Sequence, residues 1–155
     1  MQPEQFTDLM AKLTARVAGK PLDRELEREL NETLPPSSPE YGEVFSACRA
    51  GIEAGWLCNR EQGGIKFGRV IKPSAHTHGF SVDVVDMHNV VGPHHSHPNG
   101  EIDLVMPLTP EAEFDCRGAG WCVYPPGSAH SPTVTRGRAL VLYLLPAGQI
   151  EFTKR

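Results

Sequence analysis

From Gly64 to the end of the chain, apolar and polar residues alternate, and glycines and prolines interrupt the alternation at short intervals. Successive side chains of a strand point to opposite faces, so a period of two bounded by turn formers marks strands with a buried face. The candidates are residues 65–71, 80–88, 92–97, 102–107, 112–116, 121–124, 131–135 and 139–145, with a short one at 150–152. Many short strands with no helical pattern between them disfavour a parallel β/α architecture and predict a mainly β protein, an antiparallel sandwich or barrel.

The first part of the chain follows a different period. Phe6, Leu9, Met10, Leu13 and Val17 fall on one helical face, and Gly19 and Pro21 stop that helix. Asp23 to Leu34 has the Glu/Arg/Leu mixture of a solvent-facing helix and ends at Pro35-Pro36. Ser38 supplies an N-cap with Pro39 at the first helical position, and Tyr41, Val44, Phe45, Cys48, Ile52 and Trp56 trace one apolar stripe. The chain therefore divides into a helical extension over residues 1–58 and a barrel over 59–155. The stripes are packing faces that lie on the barrel or on a second subunit, and the expected assembly is a homodimer.

With 155 residues the chain suits one compact unit with a real core. A net charge of -4 offers no basic footprint for nucleic acid. No apolar run is long enough to span a bilayer, and the start Met-Gln-Pro-Glu-Gln lacks the basic and apolar regions of a signal peptide, so a cytoplasmic location without membrane partners is expected. Cys48, Cys58, Cys116 and Cys122 form no C-x-x-C pair and read as ordinary thiols.

Chemistry concentrates in two short clusters. G-P-H-H-S-H-P-N-G-E carries His95, His97 and Glu101, and P-P-G-S-A-H carries His130. On a strand His95 and His97 share a face, and a tight turn through Pro98, Asn99 and Gly100 can return Glu101 beside them. Three imidazoles and a carboxylate suit one borderline divalent metal such as iron, manganese, zinc, nickel or copper, and the absence of Cys argues against a closed thiolate zinc site. The bland reading of a lone histidine, as a surface or hydrogen-bonded residue, suits His76, His88 and His94 better. No glycine-rich dinucleotide fingerprint accompanies the clusters, so neither flavin nor nicotinamide is expected.

Gly92 to Leu108 resembles the first cupin motif, H-x-H-x3-E at His95, His97 and Glu101, and Gly118 to His130 resembles the second, P-x-G-x2-H at Pro125, Gly127 and His130. The resemblance implies a cupin-type jelly-roll barrel holding a metal inside through those residues. One departure is Met106-Pro107-Leu108, where a glycine is usual; it bears on the hairpin more than on the ligands. A narrower resemblance, carried by F-S-V-D-V-V-D-M, G-P-H-H-S-H-P-N-G-E-I-D, G-A-G-W-C-V-Y-P-P-G-S-A-H-S-P-T-V and G-R-A-L-V-L-Y-L-L-P, is to the small 4-hydroxylaminobenzoate lyases of nitroaromatic degradation. It implies conversion of 4-hydroxylaminobenzoate to 3,4-dihydroxybenzoate with release of ammonia.

Asp103 follows Glu101 by two positions on the same strand face, which makes it a candidate general acid/base beside Glu101; the competing reading is a solvated carboxylate. His78 can reach the barrel mouth as a proton donor or cap the turn before Gly79, and Tyr124 can line the pocket or fill the core. An aromatic carboxylate substrate needs a cation, for which Arg69, Arg117, Arg136 and Arg138 are all available. The same ligand set also serves cupin dioxygenases, sugar isomerases and non-catalytic binding modules, because fold alone does not choose a reaction.

Overall fold

The computed structural model describes residues 1–153. Three helices come first: α1 (Pro3–Ala15), α2 (Arg24–Thr33) and α3 (Pro39–Ala54). Asp23 caps α2 by accepting a hydrogen bond from the Leu26 amide, and Ser38 caps α3 by accepting from that of Tyr41, with Pro39 opening the helix. Ten strands follow: β1 (Arg60–Gln62), β2 (Ile65–Ile71), β3 (Phe80–Val91), β4 (His95–His97), β5 (Glu101–Pro107), β6 (Glu113–Phe114), β7 (Gly120–Tyr124), β8 (Ser128–His130), β9 (Thr133–Pro146) and β10 (Glu151–Phe152).

All pairings are antiparallel. One sheet runs β1-β2-β3-β9-β5-β7, with β6 also on β9, and a smaller sheet runs β10-β4-β8. This is an antiparallel barrel with a helical N-terminal part, the architecture expected from the sequence. Its two cores lie on opposite faces of the large sheet. Val82, Val84, Ile102, Leu104, Leu142 and Leu144 belong to one cluster with Phe6, Met10, Leu26, Leu30 and Val44 of the helices. Their alternates Met87, Val105, Val141 and Tyr143 gather inside the barrel with Ile65 and Phe114. Residues 101–106 of β5 are consequently buried without a break, since both faces of that strand are covered.

Several strand ends differ from the sequence expectation. The segments expected at 131–135 and 139–145 are one strand, β9, bent where Arg136 and Gly137 take positive φ and the Gly137 amide donates to Asn89 Oδ1. A Cβ at Gly137 would approach the Thr109 side chain to 2.5 Å, so the bend and the close approach both require glycine. The strand expected at 112–116 shrinks to β6, because Asp115 and Cys116 also turn to positive φ. β1 and β8 were not anticipated. Where the motif glycine is absent, β5 runs through Pro107, and the Leu108 and Thr109 amides both donate to the Arg138 carbonyl.

Candidate metal centre and active site

His95 and His97 point inward from β4, with Ser96 between them on the other face. The Gly100 amide donates to the His97 carbonyl and closes the turn that delivers Glu101 to the start of β5. β8 lies antiparallel to β4, so His130 stands directly opposite His95, and Ser128 opposite His97. The four ligand atoms of His95, His97, Glu101 and His130 all lie within 4.8 Å of one another. The first three residues are buried and His130 is nearly so.

The partners of the other ring nitrogens fix the tautomers. His130 Nδ1 lies 2.6 Å from Asp115 Oδ2, and His95 Nδ1 lies 3.3 Å from the Pro93 carbonyl. An ionised carboxylate and a carbonyl can only accept, so both Nδ1 atoms carry the proton. His97 Nδ1 meets Ser128 Oγ at 3.0 Å, and that hydroxyl spends its hydrogen on the Pro125 carbonyl, so here too the ring donates. Each ring is left with Nε2 for ligation. Burial works against a charge on His130, but Asp115 and Glu101 raise its pKa to about 9, so a bound metal would displace a proton from its Nε2. The Nε2 atoms of His95 and His130 face each other at 3.2 Å.

Those nitrogens surround Glu101. Nε2 of His97, His95 and His130 lies 3.3, 3.6 and 3.7 Å from its carboxylate oxygens. Both oxygens of Glu101 and Nε2 of His97 are buried without a hydrogen-bond partner. Ring nitrogens able to ligate, converging on an acceptor-only carboxylate that has no hydrogen-bond partner, make a donor set that fits a divalent metal. Burial works against the Glu101 charge, but the protonated His130 first, through its ring N–H, and then His95 and His97 hold its carboxyl well below the usual range. Asp115 also stays ionised against burial, through His130 and the Tyr124 hydroxyl, which donates to it at 2.7 Å.

Asp103 is wholly buried beside this cluster, and neither carboxyl oxygen has a hydrogen-bond partner. Burial, reinforced by the charge of Glu101, pushes its carboxyl well above the usual range, which favours its protonated form. Beyond His95 opens a cavity of about 710 Å³ whose wall includes Tyr143, Phe67, Asp83, Arg69 and Arg60. Its volume and mostly apolar wall suit a small aromatic molecule.

A model of the PnbB 4-hydroxylaminobenzoate lyase family matches residues 8–152. The chain belongs to this family. The 4-hydroxylaminobenzoate lyase of Pseudomonas putida is 32% identical over 166 residues, covering 96% of this chain and 94% of that protein. The lyase of the same name from Nocardioides sp. (strain LMS-CY) is 32% identical over 151 residues, covering 91% and 86%. Among solved structures, an RmlC-like cupin protein from Ralstonia eutropha superposes with a TM-score of 0.46 at 9% identity, over 60% of this chain and 62% of that one. An oxalate oxidase in complex with the substrate analogue glycolate gives 0.46 at 22%, over 60% and 57%.

In this 4-hydroxylaminobenzoate lyase family member the remaining polar residues take separate places. His78 is not brought to the cluster: it is exposed before β3, at positive φ, and its Nδ1 pairs with Thr14 Oγ1 of α1 at 2.9 Å. His76 pairs with Asp8, His94 hydrogen-bonds Thr153, and His88 is exposed on β3. Tyr124 positions Asp115 and packs its ring 4.6 Å from that of His130. Arg117 pairs with Glu27 and Arg138 with Asp86, while Arg136 is exposed at the bend of β9. Of the four arginines considered from sequence, Arg69 is the one in the cavity wall among the described residues. Sequence reasoning missed Asp115, Ser128 and Arg60. Ser128 was readable from S-A-H, where it shares a strand face with His130, whereas nothing in the turn D-C-R-G around Asp115 announces a ligand support.

Proposed function

We propose that this protein is a lyase that converts 4-hydroxylaminobenzoate and water to 3,4-dihydroxybenzoate and ammonia, with one divalent metal held by His95, His97, Glu101 and His130. The observation that carries the reading is the convergence of three Nε2 atoms on the unpartnered Glu101 carboxylate, beside the wholly buried Asp103 carboxyl, in a member of this family. Atoms balance with one water taken up and no net electron transfer, because the oxidising equivalent is already in the N–O bond. Neither flavin nor nicotinamide is therefore required.

A divalent ion in that ligand set supplies Lewis acidity, which polarises an oxygen or brings the pKa of water toward neutrality. The chain's own groups account for the protons. Asp103 gives its carboxyl proton to the departing hydroxylamino oxygen, which leaves as water. The ring carbon ortho to nitrogen, now electron-poor, accepts a water oxygen. A second water adds at the carbon bearing nitrogen and ammonia departs from it. The Asp103 carboxylate recovers a proton as the ring regains aromaticity. Asp115, Ser128 and the Pro93 carbonyl keep the imidazoles oriented throughout. His78 has no part in this scheme, since it lies against α1.

Metal analysis combined with an anaerobic assay on 4-hydroxylaminobenzoate tests the proposal. Catechol and ammonia should form without oxygen, and 18O-labelled water should label the hydroxyl that replaces nitrogen. Label from molecular oxygen, or turnover that stops anaerobically, would move the protein to the dioxygenase class. Bound metal with no turnover of any substrate would make it a binding module. Asp103→Asn should lower kcat far more than it raises KM.

A homodimer in the cytoplasm completes the proposal. Among the described residues no helix is long and apolar enough to cross a membrane, and size-exclusion chromatography with light scattering reads the oligomeric state.

A further inference from the structure

One row of directly opposed residues crosses the barrel wall. Arg69 on β2 faces Asp83 on β3, Asp83 faces Tyr143 on β9, and Tyr143 faces Asp103 on β5. Opposed residues share a sheet face, so these side chains all project into the barrel. Neighbouring strands lie about 4.8 Å apart, which separates the Arg69 and Asp103 backbones by roughly 14 Å along the wall. The row thus has a guanidinium at one end and, at the other, the acid beside the metal ligands. The next row, Phe67, Val85, Val141 and Val105, is apolar, and Phe67 and Val85 belong to the cavity wall.

The guanidinium of Arg69 is fixed but not saturated. Its Nε donates to Asp83 Oδ1 at 2.8 Å, and its Nη2 donates to Asp83 Oδ2 at 3.3 Å and to the Gly148 carbonyl at 3.2 Å. Nη1 keeps both hydrogens without an acceptor among the described residues. Arg60 stands across from Phe67 in the β1–β2 register, which makes it the diagonal neighbour of Arg69 on the cavity side. Its side chain forms no ion pair or hydrogen bond among the described residues. Asp83 is the one carboxylate in that wall among the described residues, so two guanidinium groups face one acid.

We propose that Arg69 and Arg60 form the binding site for the substrate carboxylate and select a carboxylated ring for the metal centre. This rests on the lyase reading and names the half of the substrate that reading leaves unplaced. Arg69, clamped by Asp83 and Gly148, offers Nη1 in a set direction, and Arg60 supplies the uncompensated charge. A ring spanning from this clamp lies along Phe67 and Val85 and presents its hydroxylamino group toward His95 and the cluster behind it.

The test uses full-length, metal-loaded protein and two variants, Arg60→Gln and the double variant Arg69→Gln/Asp83→Asn, which removes both halves of the pair and leaves no buried charge alone. Each variant should raise KM for 4-hydroxylaminobenzoate by about 10- to 100-fold, the worth of a hydrogen bond between charged groups, with kcat retained. N-phenylhydroxylamine, which lacks the carboxylate, should be turned over equally by wild type and variants. Calorimetric binding of 4-aminobenzoate should weaken by the same factor, with Arg60→Lys recovering part of it. Unchanged KM and unchanged binding in both variants would overturn the site, as would equal losses on both substrates. A wild type that binds 4-aminobenzoate through these arginines but turns over no aryl hydroxylamine would uphold the site and defeat the lyase reading. Arg60 is exposed, so its variant tests the site without threatening the fold.

Discussion

Each imidazole of the cluster is oriented by a different group: a carboxylate for His130, a hydroxyl for His97 and a backbone carbonyl for His95. These supports decide which nitrogen bears the proton and therefore whether the cluster can ligate at all. Asp115→Asn keeps a side-chain oxygen but loses the charge, and its amide can rotate to offer a donor where His130 needs an acceptor. Metal affinity, read by competition with a chelator, should fall by about 10- to 100-fold. His97→Ala removes a ligand outright, so retained metal measured after dialysis should drop by orders of magnitude more than in His88→Ala, whose side chain is exposed on β3. Equal metal content in the two histidine variants would contradict the ligand assignment.

At the scale of elements, α2 finishes the sheet. β7 is an edge strand, and an open edge leaves amides and carbonyls unpaired. Asn31 accepts from the Trp121 amide at 2.9 Å and donates to the Trp121 carbonyl at 3.0 Å, as a neighbouring strand would, and Glu27 accepts from the Val123 amide at 2.9 Å. Trp121 returns its indole hydrogen to the Leu34 carbonyl at the end of α2. Gly120 sits where a Cβ would come within 2.7 Å of Asn31 Oδ1, so the approach depends on its being glycine. Asn31→Ala should cost about 1–3 kcal/mol in chemical denaturation by leaving the Trp121 backbone groups unpaired. The polar sequence of α2 suggests a solvent-facing helix, and that reading holds for most of its residues; Asn31 and Glu27 show why period alone cannot find a side chain that imitates a strand. Strongly alternating segments were legible: β2 spans the expected residues 65–71, the ligand strand β4 falls within the expected 92–97, and the cap of α3 lies where Ser38 and Pro39 put it. β1 and β8, three residues each, were too short to show a period, and the join inside β9 was hidden by Arg136-Gly137, which reads as a turn and acts as a bend. The candidate metal ligands were legible because two motifs carry them. Arg60 and Asp115 were not, because long-range folding alone brings them to the site.

Across the whole molecule, the large sheet separates two tasks. Its inner face carries Glu101, Asp103 and Tyr143, and its outer face carries the aliphatic side chains covered by the three helices. We treat residues 1–58 as an extension packed on a barrel of 59–155, a division that deletion can test. Removing residues 1–57 would bare Val82, Val84, Ile102, Leu104, Leu142 and Leu144, an apolar patch of the kind that drives aggregation, and would reopen the β7 edge. The truncated protein should be insoluble or melt far below the full chain; unchanged solubility and melting temperature would show the segment to be dispensable. A milder change separates stability from chemistry. Phe6 is fully buried, with its ring edge-on to Trp56 at 5.5 Å, and it lies on the face of the sheet away from the ligands. Phe6→Ala should cost about 3–5 kcal/mol in denaturant titration. The fraction that remains folded should bind metal with unchanged affinity, because the outer cluster contributes no atom to the centre. A loss of metal affinity in that folded fraction would mean that the helical layer reaches through the sheet to set the ligand geometry, and the two faces would then have to be treated as one unit.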